Sequence, residues 1–322
     1  MLDIIVTHYH EPWETGKKFF AMLDLQRGID FDDFRVILVN DGEENELPDE
    51  CFENRPYKVE QLSVAQAGVS TARNRGIKES DAEWIMICDF DDTFAHVYAL
   101  KDILDVLPAP NVDLLWAPFL VERKGENGMV LLAEQGLNGV FNHAKVYRRQ
   151  FLIDNNIWFD PALPYCEDSL FNTTAYTICD ENRIGKIVTK APMYIWCDTE
   201  GSVSNTIKNR QMGRHYTYYR NKKVCEIYKT YRSYDDYCAM VARTIIDAYY
   251  ALCVKELPEP MYEMRDDFPK WYQAHKQQWK SVPYETLRLV KEKSRKCSYP
   301  EDAGTIESIS VSQWLKTQET GR

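Results

Sequence analysis

The sequence predicts an α/β protein in which a largely parallel sheet forms the first two thirds and a helical region follows. Three observations support this fold class. Short apolar runs of strand length alternate with helical stretches over residues 1–90. Each apolar run ends in a polar segment. From about residue 207, apolar side chains instead recur at the three- and four-residue spacing of a helix.

The composition is that of a globular chain, since 44% of the 322 residues are hydrophobic and 28% are charged. No apolar stretch approaches the ~18–20 residues of a membrane span, and the N-terminus reads as a strand rather than a signal peptide. The nine cysteines are scattered without a CxxC pair, which argues against a zinc site and a disulfide framework. We expect reduced thiols, no transmembrane segment and a cytoplasmic location.

Charge divides the chain into two parts. Residues 1–206 carry 18 basic and 35 acidic side chains, a balance of −17, whereas residues 207–322 carry 21 and 15, a balance of +6. The change of sign predicts two domains with these boundaries. The acidic first domain argues against nucleic-acid binding. The basic second part is either a solvated helical surface or a contact for an anionic partner.

The order of elements in the first domain is βαβαβ. Strands are expected at residues 3–7, 34–39, 57–62 and 84–88, and helices at residues 15–27 and after Gly68. The first strand runs into Thr7-His8-Tyr9-His10-Glu11 and the second into Asn40-Asp41-Gly42, which is also turn chemistry. Polar residues at successive strand ends are typical of a nucleotide-binding α/β fold.

Three carboxylates follow the strand at residues 84–88, in the order Asp89-Phe90-Asp91-Asp92. Because side chains alternate along a strand, Asp89 and Asp91 are expected on one side and Phe90 on the other. Two carboxylates on one side repel each other, but they suit a hard divalent cation such as Mg²⁺ or Mn²⁺. The sequence therefore predicts a metal site at this strand end.

Arg73 lies where the helix after Gly68 is expected to begin. An arginine beside the free N–H groups of a helix start suits an anionic ligand. The alternative is an exposed arginine on a surface helix.

The later elements are strands first and helices afterwards. Residues 113–121 and 129–133 predict strands joined by a hairpin at 124–128, and residues 142–155 predict a helix. Glu167 and Asp168 precede an amphipathic helix, which they either cap or equip with a functional acid pair. Two late strands, at 187–189 and 192–196, lead into a polar loop. Beyond residue 257 we expect helices broken at prolines 258, 260, 269, 283 and 300.

Taken together, these motifs resemble family 2 glycosyltransferases over roughly residues 2–206. The resemblance rests on five segments in order, namely Thr7–Glu11, Asn40-Asp41-Gly42, Gly68 with Ala72-Arg73-Asn74-Arg75-Gly76, Asp89-Phe90-Asp91-Asp92, and Glu167-Asp168 before Phe171. It implies a GT-A fold, which is a Rossmann-like nucleotide-binding domain with a mostly parallel mixed sheet.

The resemblance also assigns roles to residues. Asp168 would be the general base with Glu167 in support, and Asp91 would bind Mn²⁺ or Mg²⁺ beside the diphosphate. The nucleotide-sugar would contact Thr7, Tyr9, Glu11, Asp41, Arg73, Asp89, Trp196 and Ser202. The pattern differs at Asn40, where an acid is common, and at Cys197-Asp198, where Arg or His is common. Lys208, Arg210 or His143 would then neutralise the diphosphate.

The resemblance implies an inverting, metal-dependent transfer of a sugar from a nucleotide-diphosphate donor, a UDP-sugar, to a hydroxyl of a glycan, polymer or protein. The helical region is expected to contact the acceptor or a second copy of the chain. Two alternatives stay open. Asp89-Phe90-Asp91-Asp92-Thr93 also matches the D-x-D-x-T signature of haloacid-dehalogenase-like phosphohydrolases, with Asp89 as nucleophile and Asp91 as acid/base. The second alternative is a domain that binds sugar nucleotides without catalysis.

Overall fold

The computed structural model describes residues 1–107, 109–125, 129–181, 185–199, 207–254, 257, 259–297 and 309–320. The chain separates into two compact units, Met1–Ser202 and Val203–Arg322. The first unit contains all the strands of the described residues, and the second is helical.

A seven-stranded sheet forms the centre of the first unit. Its strands are β1 (Leu2–His8), β2 (Phe34–Asp41), β3 (Lys58–Val64), β4 (Trp84–Asp89), β6 (Val112–Trp116), β9 (Lys145–Arg148) and β10 (Gly185–Val188). The order across the sheet is β10-β6-β9-β4-β1-β2-β3. All neighbours run parallel except β9, which is antiparallel to β4 and β6. The predicted mixed, mostly parallel sheet is confirmed.

A smaller four-stranded sheet completes the first unit. Its strands are β5 (Thr93–Phe94), β7 (Phe119–Lys124), β8 (Val130–Gln135) and β11 (Tyr194–Trp196), in the order β5-β11-β7-β8. The predicted hairpin between β7 and β8 is confirmed, and the Gly125 N–H donates to the Met129 carbonyl over 2.7 Å.

Helices cover the large sheet and bury its apolar strands. In the first unit they are α1 (Trp13–Asp24), α2 (Val69–Glu79), α3 (Ala99–Leu104), α4 (Arg149–Asp154) and α5 (Glu167–Glu181). Residues 84–88 of β4 are buried at every position, as expected of a strand covered on both faces. Burying these apolar side chains is the main stabilising contribution to this unit.

Two predicted elements are wrong in the first unit. Residues 142–155 form β9 and then α4, not one helix, because Val146 and Tyr147 fill the space between β4 and β6 and are 0% exposed. A short apolar run in a mixed segment does not distinguish a strand from a buried helix. Residues 113–121 form two strands, because Pro118 has no N–H to donate to a continuing ladder.

The second unit consists of helices. They are α6 (Ile207–Tyr231), α7 (Tyr234–Leu252), α8 (Tyr262–Ser281), α9 (Tyr284–Cys297) and α10 (Val311–Thr320). The predicted stripe in α7 is buried from Cys238 to Tyr249, and Ser233 caps its first turn by accepting from the Asp236 N–H over 3.1 Å. The break predicted at Pro269 is wrong, since that proline lies inside α8.

Among the described residues, no helix combines the length and apolarity that crossing a membrane requires. The side chains of eight of the nine cysteines are described, and these eight form no disulfide with one another.

Gly16 in α1 fixes how closely this helix approaches the loop after β4. A Cβ at this position would lie 2.2 Å from Cζ of Phe90, whose ring is 1% exposed and lies between Asp89 and Asp91 in the chain. Either the helix or the buried ring would have to shift to admit that atom. The absence of a side chain at Gly16 therefore positions the acidic residues on either side of Phe90.

We expect Gly16→Ala to lower the free energy of unfolding by about 1–3 kcal/mol, because the ring must shift to admit the methyl group. Thermal and urea unfolding measure this loss. Gly213→Ala is the matched control, since an added Cβ at this helical glycine would have no described atom within 4 Å apart from its neighbours and the backbone of its own helix. It should stabilise α6 by about 0.5–1 kcal/mol. Equal stability of the two variants would contradict the steric role of Gly16.

Candidate active site

The polar strand ends meet at one edge of the large sheet. Strands β1, β2 and β4 are parallel neighbours, so their carboxyl ends lie side by side. Thr7 pairs with Val39 on one side and with Asp89 on the other. Three segments that are far apart in sequence therefore form a single rim.

His8 and Asn40 connect β1 and β2 at this rim. His8 Nδ1 lies 2.8 Å from Asn40 Oδ1, and His8 Nε2 lies 2.7 Å from the Glu11 carbonyl. Asn40 Nδ2 donates to Gln61 Oε1 over 3.1 Å, and both His8 and Asn40 are buried. The asparagine that replaces the family's common acid is therefore part of a structural hydrogen-bond network.

Asp41 organises the loop before α2. Its two carboxylate oxygens accept the N–H groups of Ala67 over 2.8 Å and of Gly68 over 2.9 Å. Gly68 is the N-cap of α2 and adopts φ +89°, which a glycine tolerates well. Asp41 is 6% exposed, and its carboxylate already accepts two N–H groups. Its predicted contact with a nucleotide base stays a prediction.

Tyr9 and Glu11 form the outer part of the rim. Tyr9 is 41% exposed, and its hydroxyl lies 2.5 Å from Gln66 Nε2. Glu11 Oε2 accepts the Tyr9 N–H over 2.7 Å. The predicted contacts of Thr7, Tyr9 and Glu11 with a nucleotide stay predictions, and Thr7 is the one that pairs with the end of β4.

The three acids after β4 have different environments. The strand ends at Asp89, so the expected alternation of Asp89 and Asp91 along one strand is wrong, and Asp91 lies in the turn that follows. Asp91 is half-buried, and burial together with Asp89 raises its pKa. Asp92 is 0% exposed and accepts the Cys197 N–H over 2.8 Å. Burial raises the pKa of Asp92 well above its usual range, and Asp89 adds to the shift.

Arg73 joins the β4 end to the start of α5. One guanidinium nitrogen, Nη2, donates to Asp89 Oδ1 over 2.8 Å. The other, Nη1, donates to Glu167 Oε1 over 3.0 Å and to Asp168 Oδ1 over 2.5 Å. Arg73 is 4% exposed, so the alternative of a surface arginine is wrong. We call Arg73, Asp89, Glu167 and Asp168 the arginine cluster.

Within the arginine cluster, the pKa values of the two aspartates are shifted in opposite directions. Burial opposes ionisation of Asp89, but Arg73 outweighs it and the pKa of Asp89 is lowered. Burial raises the pKa of Asp168 to about 7, although Arg73 opposes the shift. A carboxylate with a pKa near neutrality suits a general base. The hydrogen bonds of Glu167 and Asp168 go to side chains from elsewhere in the fold, which favours the functional interpretation over simple capping.

The rim has the oxygen and nitrogen donors that a divalent cation needs. Asp89, Asp92 and His143 each offer an atom within 4.8 Å of the other two. Asp92 Oδ2 has no hydrogen-bond partner among the described residues, and His143 Nδ1 is 3.5 Å from it. Asp92 and His143 are buried, whereas Asp89 and Asp91 are partly exposed. Only the latter two are therefore accessible to an ion that also contacts a bound diphosphate.

Trp196 lies behind this rim, in β11. Its ring is stacked on His143, with centroids 5.4 Å apart, and packs against Phe141 at 5.2 Å. Burial lowers the pKa of His143 despite the nearby Asp89, so the neutral imidazole is favoured. This argues against His143 as the cation that neutralises the diphosphate. Ser202 lies outside the described residues, as do the side chains of Lys208 and Arg210.

Several residues at the site had no predicted role. Asn142 Nδ2 donates to Asp168 Oδ1 over 2.7 Å. Lys145 is 2% exposed, its ammonium contacts the Phe141 carbonyl, and burial lowers the pKa of Lys145 to about 7. Both residues lie at or beside β9, the strand that was predicted as a helix. Since burial is not visible in a sequence, no local signal marked either residue.

Comparison with known proteins identifies the class. The sequence model of the family described as Glycosyl transferase family 2 matches residues 3–163, which include the three strand ends and the acidic turn. The crystal structure of TarS from S. aureus superimposes with a TM-score of 0.56 at 18% identity, over 92% of this chain and 52% of that chain. The fold is therefore of the GT-A type with a helical C-terminal region. The chain belongs to the family 2 glycosyltransferases.

Two relatives from Staphylococcus aureus are poly(ribitol-phosphate) beta-N-acetylglucosaminyltransferases. TarS of strain Mu50 is 29% identical over 178 residues, which are 50% of this chain and 30% of TarS. TarP of strain N315 is 27% identical over 213 residues, which are 62% of this chain and 64% of TarP. The chain thus spans less than two thirds of the length of either relative. A structure of TarS 1–349 in complex with UDP-GlcNAc superimposes with a TM-score of 0.53 at 18% identity, over 93% of both chains.

Proposed function

We propose that this protein transfers a sugar from a UDP-sugar to a hydroxyl group of an acceptor, with inversion at the anomeric carbon and with the help of a divalent cation. The observation that carries the proposal is the arginine cluster. Arg73 contacts Asp89 over 2.8 Å and Asp168 over 2.5 Å, so the acids at the end of β4 and the acid at the start of α5 face a shared site.

In the proposed reaction, Asp168 accepts the proton of the acceptor hydroxyl while that oxygen attacks the anomeric carbon. The bond from that carbon to the diphosphate oxygen breaks on the opposite side, which inverts the configuration, and UDP leaves. Asp91 and Asp89 would hold Mn²⁺ or Mg²⁺ beside the diphosphate. When bound, this ion stabilises the charge that develops on the leaving group.

N-acetylglucosamine is the sugar we propose, since two relatives carry that activity in their names and a solved TarS structure contains UDP-GlcNAc. Their names also specify a β-linked product, which follows from inversion of an α-linked UDP-sugar.

We propose an anionic polymer of the polyol-phosphate type as the acceptor. The balance of +6 over residues 207–322 supports an anionic partner, and contact with the acceptor or with a second copy of the chain through these helices is part of the proposal. A cytoplasmic location is part of the proposal, because nine scattered cysteines without a CxxC pair are typical of reduced thiols.

The function is tested by measuring UDP and GDP release from UDP-GlcNAc, UDP-glucose, UDP-galactose and GDP-mannose, with Mn²⁺, with Mg²⁺ and with EDTA. We expect metal-dependent hydrolysis of UDP-GlcNAc without an acceptor and faster turnover with poly(ribitol phosphate). Phosphate release from a generic phosphoester without UDP-sugar hydrolysis would instead support the phosphohydrolase alternative. The contact between Asp89 Oδ1 and Arg73 belongs to the arginine cluster, which supports the transferase over that alternative. Donor binding without any turnover would indicate a non-catalytic module.

Asp91→Ala should reduce the affinity for UDP measured with Mn²⁺ by at least about tenfold, because the ion loses an accessible carboxylate ligand. Calorimetry of UDP binding with and without Mn²⁺ measures this, and the affinity without metal should not change. Asp105→Ala is the control, since that carboxylate is 57% exposed and pairs with Lys101. If Mn²⁺ strengthens UDP binding as much in Asp91→Ala as in the wild type, Asp91 is not a ligand.

A further inference from the structure

A chain of three buried polar side chains lies behind Asp168. Asn142 Oδ1 accepts from Asn172 Nδ2 over 2.9 Å, and the Tyr147 hydroxyl donates to Asn172 Oδ1. These residues are 2%, 3% and 0% exposed, in the order Asn142, Asn172 and Tyr147. We call them the amide chain. Neither the proposed reaction nor the packing of apolar side chains requires three polar groups at this place, and burying them is unfavourable unless every group is paired.

The hydrogen bonds of Asn172 determine which way each amide faces. Its Nδ2 donates to the Asp168 carbonyl over 2.8 Å and to the Val140 carbonyl over 3.2 Å, besides the bond to Asn142. A flipped amide would place its oxygen against these carbonyls and its NH₂ group against the tyrosine hydroxyl. Asn142 must then present its oxygen to Asn172 and its N–H group to Asp168.

The two donors to the carboxylate of Asp168 select one of its oxygens. Asn142 Nδ2 and Arg73 Nη1 both donate to Oδ1, over 2.7 and 2.5 Å. Within the part of the chain that the structure describes, no group donates to Oδ2. The carboxylate is therefore held in one orientation, and Oδ2 is the oxygen left to accept a proton.

We infer that the amide chain positions Asp168, with Asn142 as the positioning residue in direct contact. This inference rests on the proposed role of Asp168 as general base. Asn142 stabilises the ionised carboxylate through its N–H group and directs Oδ2 toward the acceptor hydroxyl. Tyr147 and Asn172 act through Asn142 and keep its amide from flipping.

The pKa of Asp168 in the free protein is the first measurement. It is followed through the carboxyl ¹³C shift in ¹³C-aspartate-labelled protein, with Asp168→Asn for assignment. Asn142→Ala removes a donor to the charged form, so the pKa of Asp168 should rise by about one unit. The other charged and titratable groups around the carboxylate stay in place, namely Arg73, Glu167, Asp89, His143, Lys145 and Tyr147.

Tyr147→Phe tests the chain without touching Asp168 and keeps the volume of the side chain. It should also raise the pKa of Asp168, but by less than Asn142→Ala does. In the double variant, the rise should be no larger than that caused by Asn142→Ala alone. Tyr57→Phe is the matched control, because this buried hydroxyl donates to the Phe20 carbonyl over 3.2 Å away from the site. It should leave the pKa of Asp168 unchanged.

Kinetics provide the second measurement. In Asn142→Ala, kcat should fall by about tenfold to a hundredfold, a part of the ~10²–10⁴ that a general base contributes, while KM for the UDP-sugar stays the same. An unchanged pKa of Asp168 in both variants would overturn the inference, whether or not the protein is active. If the pKa of Asp168 shifts in the variants but the wild-type protein releases no UDP, the proposed function is refuted and the orientation of the carboxylate is still supported. If Asn142→Ala does not fold, Tyr147→Phe decides alone.

Discussion

Replacing Asp168 by asparagine is expected to lower the rate of sugar transfer by about 10²–10⁴-fold, because the acceptor hydroxyl loses the group that takes its proton. The amide keeps the size of the side chain and can still accept from Arg73 and Asn142. Binding of UDP with Mn²⁺ should therefore be nearly unchanged. Initial rates of transfer and calorimetry on the same preparation measure the two quantities.

The pH profile gives an independent check on this assignment. Burial raises the pKa of Asp168 to about 7, and only the deprotonated form can act as base. The wild-type kcat/KM should fall about tenfold for each pH unit below 7 and level off above it. In Asp168→Asn this limb should be absent. Glu167→Gln is the matched control, because it changes the adjacent acid that contacts Arg73 and should keep the limb. Wild-type activity in Asp168→Asn would show that another residue is the base.

Most of the sheet could be predicted because its strands are buried on both faces. Continuous apolar runs such as residues 84–88 have the length and composition of strands and fit other elements poorly. The position of the site followed from the same observation, since polar residues at the carboxyl ends of parallel strands must share one edge. The strand β9 escaped prediction because it is short and its neighbours β4 and β6 are far away in sequence.

The connections within the site could not be predicted, since they depend on which elements pack together. Arg73 contacts Asp89, which is 16 positions away, and Asp168, which is 95 positions away. No spacing rule relates a residue of α2 to the first turn of α5. Asn142 was missed for a related reason, because its partner Asn172 is 30 positions away and the segment between them includes the missed strand.

Arg73→Ala is expected to lower the free energy of unfolding by about 3–5 kcal/mol, the usual result of removing one partner from a buried ion pair. The loss arises because Asp89, Glu167 and Asp168 remain close together without a cation. Arg73→Lys should recover only part of the stability, since one ammonium group cannot reproduce the two nitrogens that contact three carboxylates. Urea unfolding at pH 8 measures both variants.

The pH dependence distinguishes this electrostatic role from lost packing. In the wild type, the lowered pKa of Asp89 gives stability that is present above its unfolded pKa and is lost as the pH falls through its folded pKa. Without Arg73 the carboxylates bind protons more readily in the folded state. Lowering the pH therefore reduces the repulsion among them in the variant. The difference between wild type and Arg73→Ala should then be largest above pH 7 and narrow toward pH 5. Arg149→Ala is the matched control, because within the described residues its guanidinium donates to the carbonyls of Ile77 and Lys78 and to no carboxylate, so its effect should not vary with pH. A constant difference for Arg73→Ala would mean that its guanidinium acts as a packed side chain, and the acids of β4 and α5 would need another source of charge compensation.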